Sequence, residues 1–546
     1  MGVSEEVKGG DDIPLEQPLN WRCPEGHVFR FRRRPLLSSC IFIFCFLIME
    51  RAAMFAFRSF LPRFIGKSRV GAPQDVSFIY MLIAIFFGVY DVSPILLALI
   101  SDTYLGCFKS IVVFGFTFVF GLTLAVVSNS GDSLPPIWLN IISLLIVAIS
   151  AGGLTQLLVA FGGGQFHPRT QTASGSRFFS LIYVMAGVGA IIGIAVASLV
   201  WVGGGRKYYK VLMSTVVLAG FGWICFLSGT WSYIDRCIHP SKTFRIFALG
   251  WDCVRKGSFE KNMESHGGKY SDKLVRDLAL VIRLVPVFLF LLPLYSGQLQ
   301  SLTSLRQMEK FMSSPYKRDD PDRMFCYELL LIAEPLTMIC FSLLLNELLF
   351  PLLRRWRCMM THLTWFAFAA GFIATGFIVC LLLQRSIISA YPKVDDYSLT
   401  LDKAGPSVFL TLIPMVLFAL GQLLITSSGL ELSWSHAPES LRSVSVALFS
   451  SIYALGAWIS LALFGILKSS LNEGAPEGGG LILEPSIGLE VYFGVCAGMA
   501  GLSLVGLLCM RGFYERTRQL KIERDIEQRA IEIALARLSE VVAAVV

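Results

Sequence analysis

Several ionisable or strongly polar side chains stand inside long apolar runs of this sequence. Glu50 and Arg51 are adjacent in the first run, Asp91 lies in the second, Arg283 and Gln298 bracket another, Glu328 and Glu334 share one, and Gln422 and Glu431 share one more. A charge at the centre of a membrane-crossing helix costs about 2.5–3.5 kcal/mol by insertion scales, so each such group must face a cavity or a partner. A carboxylate there can take up a proton or hold an amine, and a guanidinium can clamp a carboxylate through two parallel N–H donors. The bland alternative is an interhelical ion pair that holds one conformation shut. For Glu50 and Arg51 the gate or substrate role is favoured; for Glu431, near the end of its run, the structural one.

The elements that must position these groups follow from composition. Of 546 residues, 54% are hydrophobic and only 16% charged, more apolar than a water-soluble fold of this length tolerates. Apolar runs able to cross a hydrocarbon core of about 30 Å begin near Leu36, Val76, Ile111, Ile137, Phe178, Val211, Leu278, Tyr327, Leu363, Val408, Val444 and Gly488. They predict an all-α integral membrane protein with twelve spans. The longest polar connection, from about Trp231 to Asp277, follows the sixth run and separates two six-helix halves. The expected organisation is an N-terminal segment 1–35, a first bundle 36–230, a linker 231–277, a second bundle 278–512 and a helical tail 513–546.

Net charge is +8, but the basic residues cluster between apolar runs, which marks topology and not a nucleic-acid surface. The N-terminus, Lys109, the Arg354, Arg355 and Arg357 stretch, Arg442 and the tail after Arg511 fall on one side, which the positive-inside rule makes cytoplasmic. The turn with Arg63, Lys67 and Arg69 runs against that rule. The first 35 residues, acidic and then basic (Arg30, Arg32, Arg33, Arg34), do not resemble a cleaved secretory signal. Thirteen scattered cysteines suggest neither disulfides nor zinc, and Cys23 with His27 is too few ligands for a metal, so no cofactor is expected. No nucleophile, base and orienting group share a site, so an enzyme is not expected. In the tail, Ile522, Ile526, Ile531, Ile533, Leu535 and Leu538 recur at helical spacing, as on a surface helix against either membrane or solvent. Pro94, Gly152, Gly153, Gly162 to Gly164, Pro286, Pro293, Pro335 and Pro414 punctuate the same runs, as helices that bend around a cavity do.

Five stretches carry a family resemblance. SDTYLGCFKS, Ser101 to Ser110, resembles the D-x-x-x-G-x-x-K turn of major-facilitator transporters through Asp102, Gly106 and Lys109. Ala151 to Ala190 is similar to the fourth-to-fifth-helix signature of proton-coupled oligopeptide transporters, with Gly162, Gly163, Gln165 and Arg177 in its F-G-G-x-Q-F and S-R-F-F-S portions. Phe44 to Leu61 resembles their E-x-x-E-R first helix, and Gly421 to Ser443 their tenth. Pro286 to Gln300 looks most like the peptide/histidine branch. The resemblance implies the major-facilitator fold and proton-driven uptake of di- and tripeptides, with carboxylates for the proton and the peptide amine and cations for the peptide carboxylate.

The sequence departs from that pattern where the chemistry sits. The first Glu of E-x-x-E-R is Leu47, the motif's tyrosines are Met54 and Phe55, the fourth-helix Lys falls at Thr155, the fifth-helix Asn at Gly187 and the tenth-helix Glu at Gln422. No histidine stands in the second helix. An exchange is expected, with a carboxylate at Glu334 of the eighth helix and an amide at Gln422 of the tenth. Glu334 then binds an amine or the proton, with Arg51 opposite as anion clamp. The expected substrate set is Arg51, Glu334, Gln422, Thr155 and Gln298, and the proton set Glu50, Asp91 and Glu334. The function expected is secondary active transport of small peptides or amino-acid-like solutes, coupled to protons, by alternating access, in the plasma or endolysosomal membrane. The alternative is a transport-deficient relative serving as a receptor or adaptor platform for a cytosolic protein partner.

Overall fold

The computed structural model describes residues 20–22, 28–30, 35–66, 76–130, 137–166, 171–203, 208–234, 242–256, 258–309, 311–313, 327–356, 360–390, 405–436, 442–467, 487–520 and 522–523. Helices occupy all twelve positions where the apolar runs require them. The first six spans are Cys40–Gly66, Val76–Ile100, Cys107–Asn129, Ile137–Gly163, Thr172–Gly203 and Tyr208–Ser228. The later half has the eighth span from the tight turn Tyr327–Ile332 through Ala333–Leu344 to Phe350–Arg355, the ninth at His362–Ala390 and the tenth at Val408–Thr411 and Leu412–His436. The eleventh is Arg442–Ile466 and the twelfth Ile487–Cys509. Ten described helices are long and apolar enough to cross a membrane, and the eleventh contributes the apolar stretch Leu448–Leu463.

The seventh span is not the continuous helix expected from its apolar run. It is a series of short pieces, Asp272–Ile282, Val285–Leu289, Leu292–Tyr295, Gly297–Gln300 and Ser304–Glu309. Pro286 and Pro293 stand in the first turns of two of these pieces, where a missing amide N–H does no harm but a longer helix would lose a bond. Hydroxyls repair part of the break: Ser296 Oγ donates to the Pro293 carbonyl at 2.7 Å.

Among the described residues, the all-α expectation meets an exception. Asn20–Arg22 and Val28–Arg30 form a short antiparallel pair, Trp21 opposite Phe29; aromatic and β-branched residues on both sides of a short connection favour this. The connection between the halves is also more than a polar loop. Helix Lys242–Lys256 places Leu249 and Cys253 against Val275, Leu278 and Val281 in a small core that Leu448 joins. Tyr270 donates to Asp252 Oδ2 at 2.9 Å. The Ser265 amide donates to Asp272 Oδ1 at 3.1 Å. Most of the tail expected to form a surface helix, including Ile526, Ile531, Ile533, Leu535 and Leu538, lies outside the described residues, as do Cys23 and His27.

Small residues set how closely the spans approach. A Cβ at Gly193 would stand 2.0 Å from the Ala52 carbonyl oxygen and one at Gly189 2.4 Å from that of Ile48, so the fifth span lies directly on the backbone of the first. This is the small-x-x-x-small contact of membrane helices. Gly106, at φ 79°, turns the chain between the second and third spans, a conformation costly for any residue with a Cβ.

Candidate functional site

The inner site is built where the first, second and fourth spans meet. Pro94 deprives the Tyr90 carbonyl of its helical donor, and Ser93 Oγ donates to that oxygen instead at 2.9 Å. Gly152 of the fourth span packs onto the break, since a Cβ there would sit 2.0 Å from Tyr90 O and 2.1 Å from Ser93 Oγ. That approach carries Thr155, one turn further on, to the first span. Arg51 donates from Nε to Glu50 Oε2 at 2.7 Å, from Nη2 to Glu50 Oε1 at 3.1 Å and from Nη1 to Tyr90 Oη at 3.0 Å. Its Nη2 also donates to Thr155 Oγ1, which is 3.4 Å from Glu50 Oε2. Glu50 is fully buried. The bidentate geometry that could clamp a substrate carboxylate is therefore already filled by the neighbouring carboxylate.

A second site lies seven residues along the same helix face, at a position sequence reasoning passed over. Arg58 Nη2 is 3.1 Å from both oxygens of Glu334 on the eighth span. The guanidinium lies between two rings, 5.1 Å from the centroid of Phe55 and 5.3 Å from that of Phe87, a favourable arrangement for a cation over aromatic faces. Glu334 thus faces Arg58, not Arg51 as expected. Gly187, standing where the family places Asn, lets the eighth span approach the fifth: a Cβ there would meet Ile339 Cγ1 at 2.6 Å. Asp91 lies within electrostatic reach of Arg58, and its buried Oδ2 has no hydrogen-bond partner among the described residues.

Beyond this pair, towards the end of the bundle that holds the first-to-second-span connection, more polar contacts cross between the halves. Arg63 Nε is 2.7 Å from Glu328 Oε1, with the Trp201 and Phe60 rings 5.0 and 5.7 Å from the guanidinium. Within the seventh span itself, Arg306 donates to Glu309 at 2.9 Å. The Tyr80 hydroxyl of the second span is 2.9 Å from both Thr303 O and Gln307 Oε1 of the seventh. The two halves are tied together at this end.

The other expected residues are placed as follows. Gln422 is buried on the tenth span, but no hydrogen bond joins it to Glu334 among the described residues. The side chains of Gln298, Asp102 and Arg177 lie outside the described residues, although their backbones are helical. Lys109 is exposed. Gly162 admits Phe178, whose Cζ would be 2.1 Å from a Cβ, and Gly163 ends the fourth span. Gln165 exchanges two hydrogen bonds with Ile234, at 3.0 and 2.8 Å, fastening the fourth span's end to the exit of the sixth. Arg58 and Arg63 were missed, although an arginine between Phe57 and Ser59 is the same signal that singled out Arg51.

Comparison with known proteins agrees with this architecture. Solute carrier family 15 member 3 of Rattus norvegicus is 22% identical over 415 residues, 69% of this chain and 70% of that protein. The crystal structure of an auto inhibited POT family peptide transporter superposes with a TM-score of 0.69 at 16% identity, covering 88% of this chain and 97% of that one. A POT family transporter in complex with 5-aminolevulinic acid gives a TM-score of 0.61 at 14% identity, covering 87% and 96%. The family model described as POT family matches residues 108–478, more than half of the chain, and the protein belongs to the POT family.

Proposed function

We propose that this protein is a secondary active transporter that carries small peptides or amino-acid-like solutes across a membrane, coupled to protons, by alternating access of its two halves. The observation that carries the reading is the Arg58–Glu334 ion pair between the first and eighth spans, one from each half. In a desolvated setting the loss of one charge of such a pair leaves the other buried without compensation, which is costly. Protonation of Glu334 therefore releases Arg58 and lets the halves part, which links a proton to the opening of one end. Asp91, beside the same guanidinium, is a second carboxylate able to receive the proton or the released cation. Arg63–Glu328 and the Tyr80 hydroxyl contacts reinforce the closed end. Gradient-driven carriers of this kind place the solute near the midplane between the halves, at the depth of Glu50, Arg51 and Thr155.

The POT family relatives support a peptide or small amino-acid-like solute, one of them holding 5-aminolevulinic acid. The basic linker and termini support an orientation with both ends in the cytoplasm, in the plasma or endolysosomal membrane. The test is uptake of labelled dipeptides and of histidine into proteoliposomes, with and without an inward proton gradient. Gradient-stimulated accumulation supports the reading. Absent uptake by folded protein turns attention to the adaptor role, with a cytosolic protein partner.

A further inference from the structure

The linker between the halves holds a helix with two apolar rows. In Lys242–Lys256 the residues Ile246, Leu249 and Cys253 recur at three- and four-residue spacing, and so do Phe244, Phe247, Trp251 and Val254. Leu249 and Cys253 are buried in the small core with Val275, Leu278 and Val281. Trp251 stands two residues from each of them and so points the other way, with 71% of its surface exposed. The core side is fixed. Asp252 accepts from Tyr270 Oη at 2.9 Å, and Asn262 Nδ2 donates to Cys253 Sγ at 3.4 Å and to the Ser258 carbonyl at 3.1 Å. Rolling the helix to bury Trp251 would break these contacts. A helix in bulk water is stable with one apolar row; the second calls for a partner.

The helix lies against the ends of the spans. The chain entering the linker is fastened at Ile234 by Gln165 of the fourth span, and the chain leaving it runs into Asp272–Ile282, whose Leu278 and Val281 share the helix's core. Leu448 of the eleventh span joins that core, and the helix also meets the turn Ser101–Leu105 after the second span, where Tyr104 is exposed. Trp231 after the sixth span and Trp356 after the eighth are exposed at the same end, as in the belt of indoles that marks a membrane–water interface. Trp251 is held close to that level.

Charge selects the lipid. Arg255 and Lys256 are exposed in the last turn of the helix, and Lys242 and Arg245 stand in its first. Against these cations the helix carries one carboxylate, Asp252, already engaged by Tyr270. Basic ends around aromatic residues suit an acidic headgroup layer, and each Lys or Arg near such a surface strengthens binding about fivefold.

We propose that Lys242–Lys256 is a membrane-surface helix that seats Trp251 among the headgroups of acidic phospholipids in the cytoplasmic leaflet. This surface rests on the cytoplasmic linker of the transporter reading and needs no transport.

The test uses full-length protein in nanodiscs of phosphatidylcholine alone or with about a quarter phosphatidylserine, each with and without lipid brominated at the headgroup end of its acyl chains. The Trp251 signal is the wild-type emission less that of Trp251→Phe, a change at an exposed ring. Bromination is expected to lower it at least about twofold in the acidic discs, as for a docked indole, and less in the neutral ones. In the Arg255→Gln, Lys256→Gln double variant the docking ratio falls about thirtyfold, so acidic discs should quench it no more than neutral discs quench the wild type. A Trp251 signal that bromination leaves unchanged, or lowers equally in both lipids, overturns the proposal. If aqueous iodide then quenches Trp251 as freely as in detergent, the face is open to a protein partner instead. Lipid quenching in protein that accumulates no solute would uphold the surface and count against the transporter reading alone. Accumulation with an unquenched Trp251 would do the reverse.

Discussion

Arg58 Nη2 lies 3.1 Å from each carboxylate oxygen of Glu334, so one guanidinium nitrogen on the first span spans the boundary between the two halves. Removing one partner of a buried pair ordinarily costs about 3–5 kcal/mol, because the other charge is stranded. Here Asp91 is within reach of the stranded cation. Glu334→Gln is therefore expected to cost less than that range, and Glu334→Gln combined with Asp91→Asn more than the two single changes added. A double-mutant cycle on thermal unfolding in detergent checks it; strict additivity would show that Asp91 does not share Arg58.

Arg51→Lys should behave as a severe change. The ammonium can reach one or two of the oxygens that the planar fork satisfies together, leaving the fully buried Glu50 under-paired and Tyr90 and Thr155 without their donor. Hydrogen bonds to charged groups contribute about 1.5–3 kcal/mol each, so initial uptake rates are expected to fall more than about tenfold. Wild-type rates in the lysine variant would remove Arg51 from the working site.

Gly193→Ala and Gly220→Ala form a matched pair on helix packing. The first puts a methyl 2.0 Å from the Ala52 carbonyl oxygen, so the fifth span must shift off the first, at about 1–3 kcal/mol. The second has nothing within 4 Å and gains helix propensity, so it should be neutral or stabilising by up to about 1 kcal/mol. Melting temperatures of the purified variants decide this, and equal melting points would contradict the close contact of the two helices.

The positions of the helices were legible because lipid leaves few alternatives: an apolar run of sufficient length without internal partners must be a helix. The seventh span shows where that logic stops. Its apolar run predicts length, but Pro286 and Pro293 divide it, and only tertiary contacts decide whether such a run bends or breaks. Of the site, Glu50, Arg51 and Thr155 do converge, whereas Glu334 was expected opposite Arg51 and meets Arg58. The spacing of seven residues puts Arg51 and Arg58 on one face of the first span, so the sequence offered both candidates. Which arginine faces the eighth span depends on how deep Glu334 stands, and that is set by a neighbouring helix.

Tyr80→Phe removes a hydroxyl that stands 2.9 Å from both Thr303 O and Gln307 Oε1. The loss is expected to weaken the closed end by about 1 kcal/mol and so enlarge the population open on that side about fivefold. Thiol labelling of a cysteine introduced at Ser301, which is buried, reports it. Unchanged labelling would mean that this contact does not hold the halves together.

The central claim is that a proton gradient drives solute through a carrier whose closed end is held by Arg58 and Glu334. Its most direct test is accumulation of a labelled dipeptide in proteoliposomes under an inward proton gradient, comparing wild type, Arg58→Glu, and Arg58→Glu with Glu334→Arg. The account predicts gradient-dependent accumulation by wild type, its loss on reversing one charge, and at least partial recovery when both are exchanged. Folded wild-type protein that accumulates nothing, or a single reversal that transports normally, would contradict it.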